Sequence, residues 1–192
     1  MKYSLLILIT SLIAIGCSKS SQPSSSADST ETECGVERWS IKTLTDPDTT
    51  LIVWTPVAST VAQQNGYSEI SVDVNTPRQA FEKIVVSIPC TITAYRKEED
   101  GDIHLVLLDA LNDSMIGEIP SVDCHEVAAS PYAAEFLAAS QWITENLGKP
   151  STDFKYSNAS VTITGVQFQD FEHEEVGHAK NYREVHPVIK IE

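Results

Sequence analysis

Residues 91–120, TITAYRKEEDGDIHLVLLDALNDSMIGEIP, constrain the fold of this chain more than any other stretch. At their centre Asp100-Gly101 lies between β-favouring residues. Asp-Gly is the pair preferred in a two-residue type I′ hairpin, because both central positions need φ > 0. Such a turn predicts a register: Glu99 opposite Asp102, Lys97 opposite His104, Tyr95 opposite Val106 and Thr93 opposite Leu108. A second turn near Leu111-Asn112-Asp113 sends the chain back through residues 115–119. Pro120 removes a ladder donor and ends the third strand of an antiparallel meander.

Weaker signals flank this frame. Residues 51–54 (LIVW) read as a short buried strand bounded by Pro56, residues 60–66 as a loop or weak helical turn, and residues 70–74 (ISVDV) as an alternating strand. Residues 84–88 lead into the meander. After it, Ser130-Pro131 predicts a helix start, with Ser as N-cap and Pro in the first turn. The stripe Phe136, Ala139, Ile143 and Leu147 carries that helix to Gly148 and Pro150. Residues 159–168 and 185–191 supply two last strands. The expectation is a mainly β fold: a small OB-like five-stranded barrel of order β-β-β-α-β-β, with a β-rich N-terminal extension and one helix.

The first residues stand apart from that domain. Lys2 precedes an uncharged run of 11 residues, Leu5 to Ile15, which as a helix covers about 16 Å and is too short for a hydrocarbon core of about 30 Å. It fits the hydrophobic region of a signal peptide, and Ala14-Ile15-Gly16-Cys17 resembles a bacterial lipobox. Residues 1–16 are then a lipoprotein signal peptide and Cys17 the lipidated first residue, with an ordinary secretory signal as the alternative. Ser18 after the cysteine fits sorting to the outer membrane of a bacterial cell envelope. Residues 17–33, rich in serine and without large aliphatics, read as a disordered tether, and residues 34–192 as one OB-like domain.

Charge and cysteine content narrow the setting. The chain carries a formal −14, and removing residues 1–16 takes away only Lys2, leaving −15. A surface so acidic repels a polyphosphate backbone, which argues against nucleic acid as a partner. With Cys17 on lipid, Cys34, Cys90 and Cys124 remain in an oxidising compartment. Cys90 and Cys124 sit at opposite ends of the meander, beyond the limit of about 7 Å between bridged Cα atoms. A Cys34–Cys124 bridge with Cys90 as a buried thiol is expected, against the alternative of no bridge.

The residues with chemical potential are His104, Glu118, Asp170, His173, His178, Asn181, Glu184 and His186. Imidazoles and carboxylates together build acid/base or zinc sites. His173-Glu174-Glu175-Val176-Gly177-His178 does not match the metalloprotease H-E-x-x-H, because its second histidine stands at i+5 with a glycine before it. A dispersed site remains open: catalytic candidates His104, Glu118, Asp170, His173 and His186, and metal candidates His173, His178 and His186. Its alternative is a solvated acidic loop. His104 and Glu118 fall on one face or on opposite faces according to the register of the third strand. They form either a cluster with Lys97 or a simple cross-strand pair. Zinc or calcium are the ions to consider as cofactors, although Asp100 and Asp102 lack the pattern of an EF-hand loop and are explained by the hairpin.

Four motifs carry a resemblance: Lys42-Thr43-Leu44-Thr45-Asp46, residues 97–107 (KEEDGDIHLVL), residues 115–120 (MIGEIP) and Glu184-Val185-His186-Pro187-Val188. The set is similar to a family of uncharacterised secreted or periplasmic bacterial proteins and covers nearly all of residues 34–192. The resemblance implies the domain boundaries and the barrel, and no reaction. Asp170, His173, Gly177, Ala179 and Asn181 also match that family, whereas Glu174 and Glu175 stand where it carries Gly-Gln. The functional expectation is a lipid-anchored cell-envelope binding or assembly module, attached to the membrane through Cys17 and taking a protein, peptide or saccharide ligand. The alternative is a metal-assisted or acid/base hydrolase with its site in the Asp170–His186 loop.

Overall fold

The computed structural model of the chain describes Cys34, Gly35 and residues 37–192. The expected signal peptide, lipidation site and tether, residues 1–33, lie outside the described residues. The fold is mainly β, a six-stranded mixed sheet with a few short helices. Strand β1 (Val53–Ala58) runs parallel to β2 (Ile84–Lys97), which is antiparallel to β3 (Ile103–Leu108). Next come β4 (Ser114–Ile119), antiparallel to β3, and β6 (Arg183–Ile191), parallel to β4. Strand β5 (Lys155–Gln169) is antiparallel to both β6 and β2. The long β2 therefore has a neighbour on each side through residues 91–95.

The meander forms with a different register from the expected one. Glu98 N–H donates to Asp102 O, and Gly101 N–H to Glu98 O, so the loop is Glu99-Asp100-Gly101, three residues long. Only Gly101 has positive φ, +93°, as in a type I turn closed by a left-handed glycine. One added loop residue moves the pairing by one. Arg96 faces His104, and Tyr95 faces Leu105. A bulge at Thr93 shifts it again, so that Ile92 faces Leu107. The second turn forms where expected, with Asn112 at φ 63° and the Asp109 carboxylate accepting from Leu111 and Asp113 N–H.

Further expectations change. Residues 70–74 form no strand, because no neighbouring strand offers them an edge, and Val74 is 58% exposed. The strand expected at residues 51–54 begins at Val53, runs through Pro56 and is largely exposed, which an outer strand bonded on one side permits. The N-terminal extension is mostly helical turns, not β-rich. It holds α1 (Trp39–Lys42), a 3-10 turn at Pro47–Leu51, and α2 (Val61–Asn65), closed by a Thr60/Gln63 capping box. A short α3 (His125–Ala128) precedes the expected helix, which spans Ala133–Asn146 as α4. Ser130 does not cap α4 directly; its hydroxyl accepts Tyr132 N–H one turn earlier, and Phe136, Ala139 and Ile143 are buried as the stripe requires.

The disulfide is Cys34–Cys124, with Cα atoms 5.9 Å apart, and Cys90 is a buried free thiol. Alternation along β3, β4 and β6 defines two faces. Ile103, Leu105 and Leu107 face the apolar core with Met115, Ile119, Val185 and Val188. His104, Glu118, Glu184 and His186 point to the opposite face, and all four are buried as well. A second, polar interior therefore lies behind the sheet.

Candidate functional site

His104 and Glu118 are directly paired across β3 and β4, and Glu184 and His186 lie on neighbouring β6. Phe168 lies opposite Glu184 on β5, which puts its ring on this face too, 5.4 Å from the His186 ring. Two segments distant in sequence close over them. From α1 and its N-cap, the Lys42 ammonium and the Arg38 guanidinium stand over Phe168, 5.6 and 4.9 Å from the ring centre. From residues 170–182 come Asp170, His173 and Glu175. Gly177 in that segment has φ +93°, and a Cβ there would lie 2.7 Å from Val106 Cγ1, so the segment sits directly on β3.

The side chains form a chain of alternating acids and imidazoles. Asp102 Oδ2 lies 3.5 Å from His186 Nε2, and His186 Nδ1 lies 3.0 Å from Glu118 Oε2. Glu118 Oε1 is 3.4 Å from His104 Nδ1, which also has Glu98 Oε1 at 3.3 Å and Glu175 Oε2 at 3.5 Å. A branch leaves His186 through Glu184 at 3.9 Å, and His173 Nε2 lies 3.6 Å from Glu184 Oε1 and 3.4 Å from Asp170 Oδ2. Asp102 also accepts Ser121 N–H through Oδ1. Most of these distances exceed the usual N–H···O range of about 2.7–3.2 Å. Asp102 Oδ2, His104 Nδ1, His173 Nε2, both Glu184 oxygens and both His186 nitrogens are buried without a hydrogen-bond partner.

Burial and crowding move the titrations. Burial opposes the ammonium of Lys42, but Glu118, Asp170, Glu184 and Asp102 around it outweigh that and raise its pKa. Burial likewise opposes the His104 imidazolium, yet Glu118, Glu175 and Glu98 push it up to about 12. His186 is raised well above its ordinary value in the same way, by Asp102 and Glu118 against burial. Glu118, whose burial alone would raise it, is held well below the usual carboxylate range by His104, His186 and Lys42. Burial and the neighbouring Glu184 push Asp170 up to about 7. Burial raises Asp102 too, with His186 partly offsetting it.

Among the described residues, three sets of side chains bring potential ligand atoms within 4.8 Å of one another: Glu98/His104/Glu118/Glu175, Asp102/Glu118/His186 and Asp170/His173/Glu184. His104, Glu118, Asp170, His173 and His186 thus all belong to one continuous network. His178 belongs to none of the three sets. Its Nδ1 lies 2.6 Å from Glu175 O, and its ring stacks on Tyr182. Asn181 holds the backbone, donating to Gln64 and Tyr67 carbonyls. Lys97 stays outside the network, because the register gives Arg96 the place opposite His104. Sequence reasoning did not single out Lys42, Glu98, Asp102 or Glu175 as network members. Lys42 lies in one of the quoted motifs, and Glu175 is one of the two positions that depart from the resembled pattern.

The network meets solvent at Asp170 and His173, which are partly exposed, and at Glu98 and Glu175. Glu98 and Glu175 line an open cleft of about 400 Å³ together with Arg96, Lys97, Glu99, Asp100 and Thr152. Arg96 pairs with Glu98 at 2.7 Å and lies over the Phe154 ring. No family model, curated protein or solved structure matches the chain.

Proposed function

We propose that this chain is a lipid-anchored cell-envelope binding module on an OB-like barrel, and that its ligand is cationic. The barrel reading rests on the pairing order: β2-β3-β4-β6-β5 returns to β2 through the β2–β5 ladder, β4 and β6 are parallel, and α3 and α4 lie between β4 and β5. The envelope reading rests on residues 5–17 and on the Cys34–Cys124 bridge, which suits an oxidising compartment.

One observation carries the cationic ligand. Six carboxylates, Glu98, Asp102, Glu118, Asp170, Glu175 and Glu184, converge on Lys42, Arg96 and three imidazoles, so acids outnumber bases even with every imidazole protonated. Four carboxylate oxygens of this cluster, Asp102 Oδ2, Asp170 Oδ1 and both of Glu184, are buried without a hydrogen-bond partner, which favours a bound cation, and the cleft at Glu98 and Glu175 is its route in. Of the protein, peptide and saccharide ligands open to such a module, a cationic group on a peptide or protein fits this mouth. Nucleic acid does not, and Lys42 is buried among acids instead of contributing to a basic groove. The test is calorimetric titration of the full chain, in detergent, with divalent metal ions, spermidine and a lysine-rich peptide. At least one should bind, and Glu98→Gln with Glu175→Gln should abolish it. Failure of every cation overturns the reading.

A second reading, an acid/base hydrolase, is favoured by Asp170, whose carboxyl is pushed up to about 7 by burial and Glu184 and lies beside His173. It requires an ester- or amide-hydrolysing activity whose pH profile Asp170→Asn flattens. An inactive wild type against such substrates ends it.

A further inference from the structure

We propose that the set Glu98, His104, Glu118 and Glu175 is a binding site for one divalent transition-metal ion of the zinc or manganese class. The inference rests on the cation-binding reading above and names the ligand of that site. Its strongest support is His104. The residue is fully buried, and its Nδ1 has no hydrogen-bond partner. Its Nε2 lies 2.9 Å from Val176 O, and a carbonyl only accepts, so Nε2 carries a hydrogen, and Nδ1 faces the three carboxylates, where a metal ion would displace the proton that they otherwise hold on it.

The spacing decides what belongs there. A proton on Nδ1 points along one axis and brings one oxygen to about 2.7–3.2 Å. Here three oxygens, from Glu98, Glu118 and Glu175, stand at 3.3, 3.4 and 3.5 Å, all too long for that bond and nearly equal. Ligands about 2.0–2.1 Å from a tetrahedral ion are separated by about 3.3–3.4 Å, the edge of the tetrahedron. The three nitrogen–oxygen spacings fit that edge, the ligand atoms all lie within 4.8 Å of one another, and Glu98 Oε1 also accepts from Arg96. One imidazole with three carboxylates is too nitrogen-rich for calcium or magnesium and too hard for copper(I); it suits a borderline divalent ion, zinc first on the tetrahedral spacing and manganese next on the carboxylate content.

The surroundings fit the same assignment. A ligating imidazole that donates its other N–H to a carbonyl is fixed in tautomer and orientation, as His104 is by Val176. Glu118 meets His186 through its second oxygen, and His186 in turn meets Asp102, so the most buried ligand is itself held. Glu98 and Glu175 line the open cleft and give the ion a path to solvent.

The other two sets lack these features. His173 Nδ1 accepts Glu175 N–H, so Nε2 must carry the hydrogen on the side facing Asp170 and Glu184. His186 has a carboxylate at each nitrogen, the setting of an imidazolium.

The test uses the full chain in detergent, stripped with chelator and titrated with zinc, manganese, calcium, magnesium and spermidine. Zinc or manganese should bind at one ion per chain, and cobalt(II) in its place should give the visible absorption of a tetrahedral centre. Glu98→Gln and Glu175→Gln should each weaken binding by at least about tenfold. Weakening by Asp170→Asn or His173→Gln that exceeds the effect of those two variants moves the ion and overturns the assignment. Binding of calcium or magnesium alone overturns it as well. If spermidine or a lysine-rich peptide titrated alongside binds and no metal does, the metal inference falls and the cation-binding reading stands; if none of these cations binds, both fall.

Discussion

Removing Arg38 would leave Glu82 as a bare charge in the protein interior. The two side chains are fully buried, bonded at 2.8 and 2.7 Å, and Glu82 also accepts the N–H groups of Gln79 and Gln169. Breaking a buried pair from one side costs about 3–5 kcal/mol. Arg38→Met should therefore lower stability by about that amount in urea unfolding at fixed pH. A loss below about 1 kcal/mol, the range of exposed pairs, would show the pair to be solvated. Asp46 allows a pH prediction. Burial alone would raise its carboxyl, but the hydrogen bonds and charge of Arg78 hold it below the usual range. A folded pKa below the unfolded value of about 3.9 gives stability that is present above it and lost as pH falls through the folded pKa. The stability gap between wild type and Asp46→Asn should be widest near neutral pH and narrow below about pH 4.

At the scale of elements, the meander was legible because local signals agree: a turn pair, β-branched runs and a terminating proline. Its register was not. A two-residue and a three-residue loop both contain Asp100-Gly101, and the bulge at Thr93 leaves no mark in a strand buried on alternate residues. That one-residue shift decides whether Arg96 or Lys97 stands opposite His104, and so decides the membership of the site. The pairing of His104 with Glu118 was foreseen as one of two registers, and the adjoining α1 was not foreseen, since four residues are too short for helical periodicity to appear. Lys42 and Glu175 joined the network only when segments distant in sequence closed over β3, which no local pattern encodes, whereas Glu98 came to it through the three-residue hairpin loop. The segment bearing Glu175 carries its own prediction. Gly177→Ala puts a side chain at φ +93° and against Val106, and the left-handed conformation alone costs about 1–2 kcal/mol. Amide exchange should quicken in residues 174–179 while the β2–β3 ladder stays protected. Equal acceleration in both would mean that the segment does not open independently.

For the whole molecule, the disulfide and the proposed anchor can be tested together. The Cys34–Cys124 bond joins residues 90 apart in sequence and ties the segment carrying Arg38 and Lys42 to the chain after β4. Cross-links of that span typically contribute about 2–5 kcal/mol, largely by restricting the unfolded chain. Cys34→Ser with Cys124→Ser should lose stability in that range by urea unfolding, and Cys90→Ser should not share the effect by way of a bridge. The anchor acts on location instead. Each buried CH₂ of an acyl chain contributes about 0.8 kcal/mol to membrane affinity, so lipid on Cys17 would hold the chain to a bilayer, and no helix among the described residues is long and apolar enough to do so. Cys17→Ser in the native host should move the protein from the membrane fraction to the soluble fraction. Thiol alkylation followed by mass measurement should find the Cys34–Cys124 bond formed in that released protein, because the compartment, not the lipid, oxidises it. Release with the bond intact supports an envelope protein held by its first mature residue. A variant that stays in the membrane fraction removes the anchor from the account, and a reduced bridge in the released protein removes the oxidising compartment.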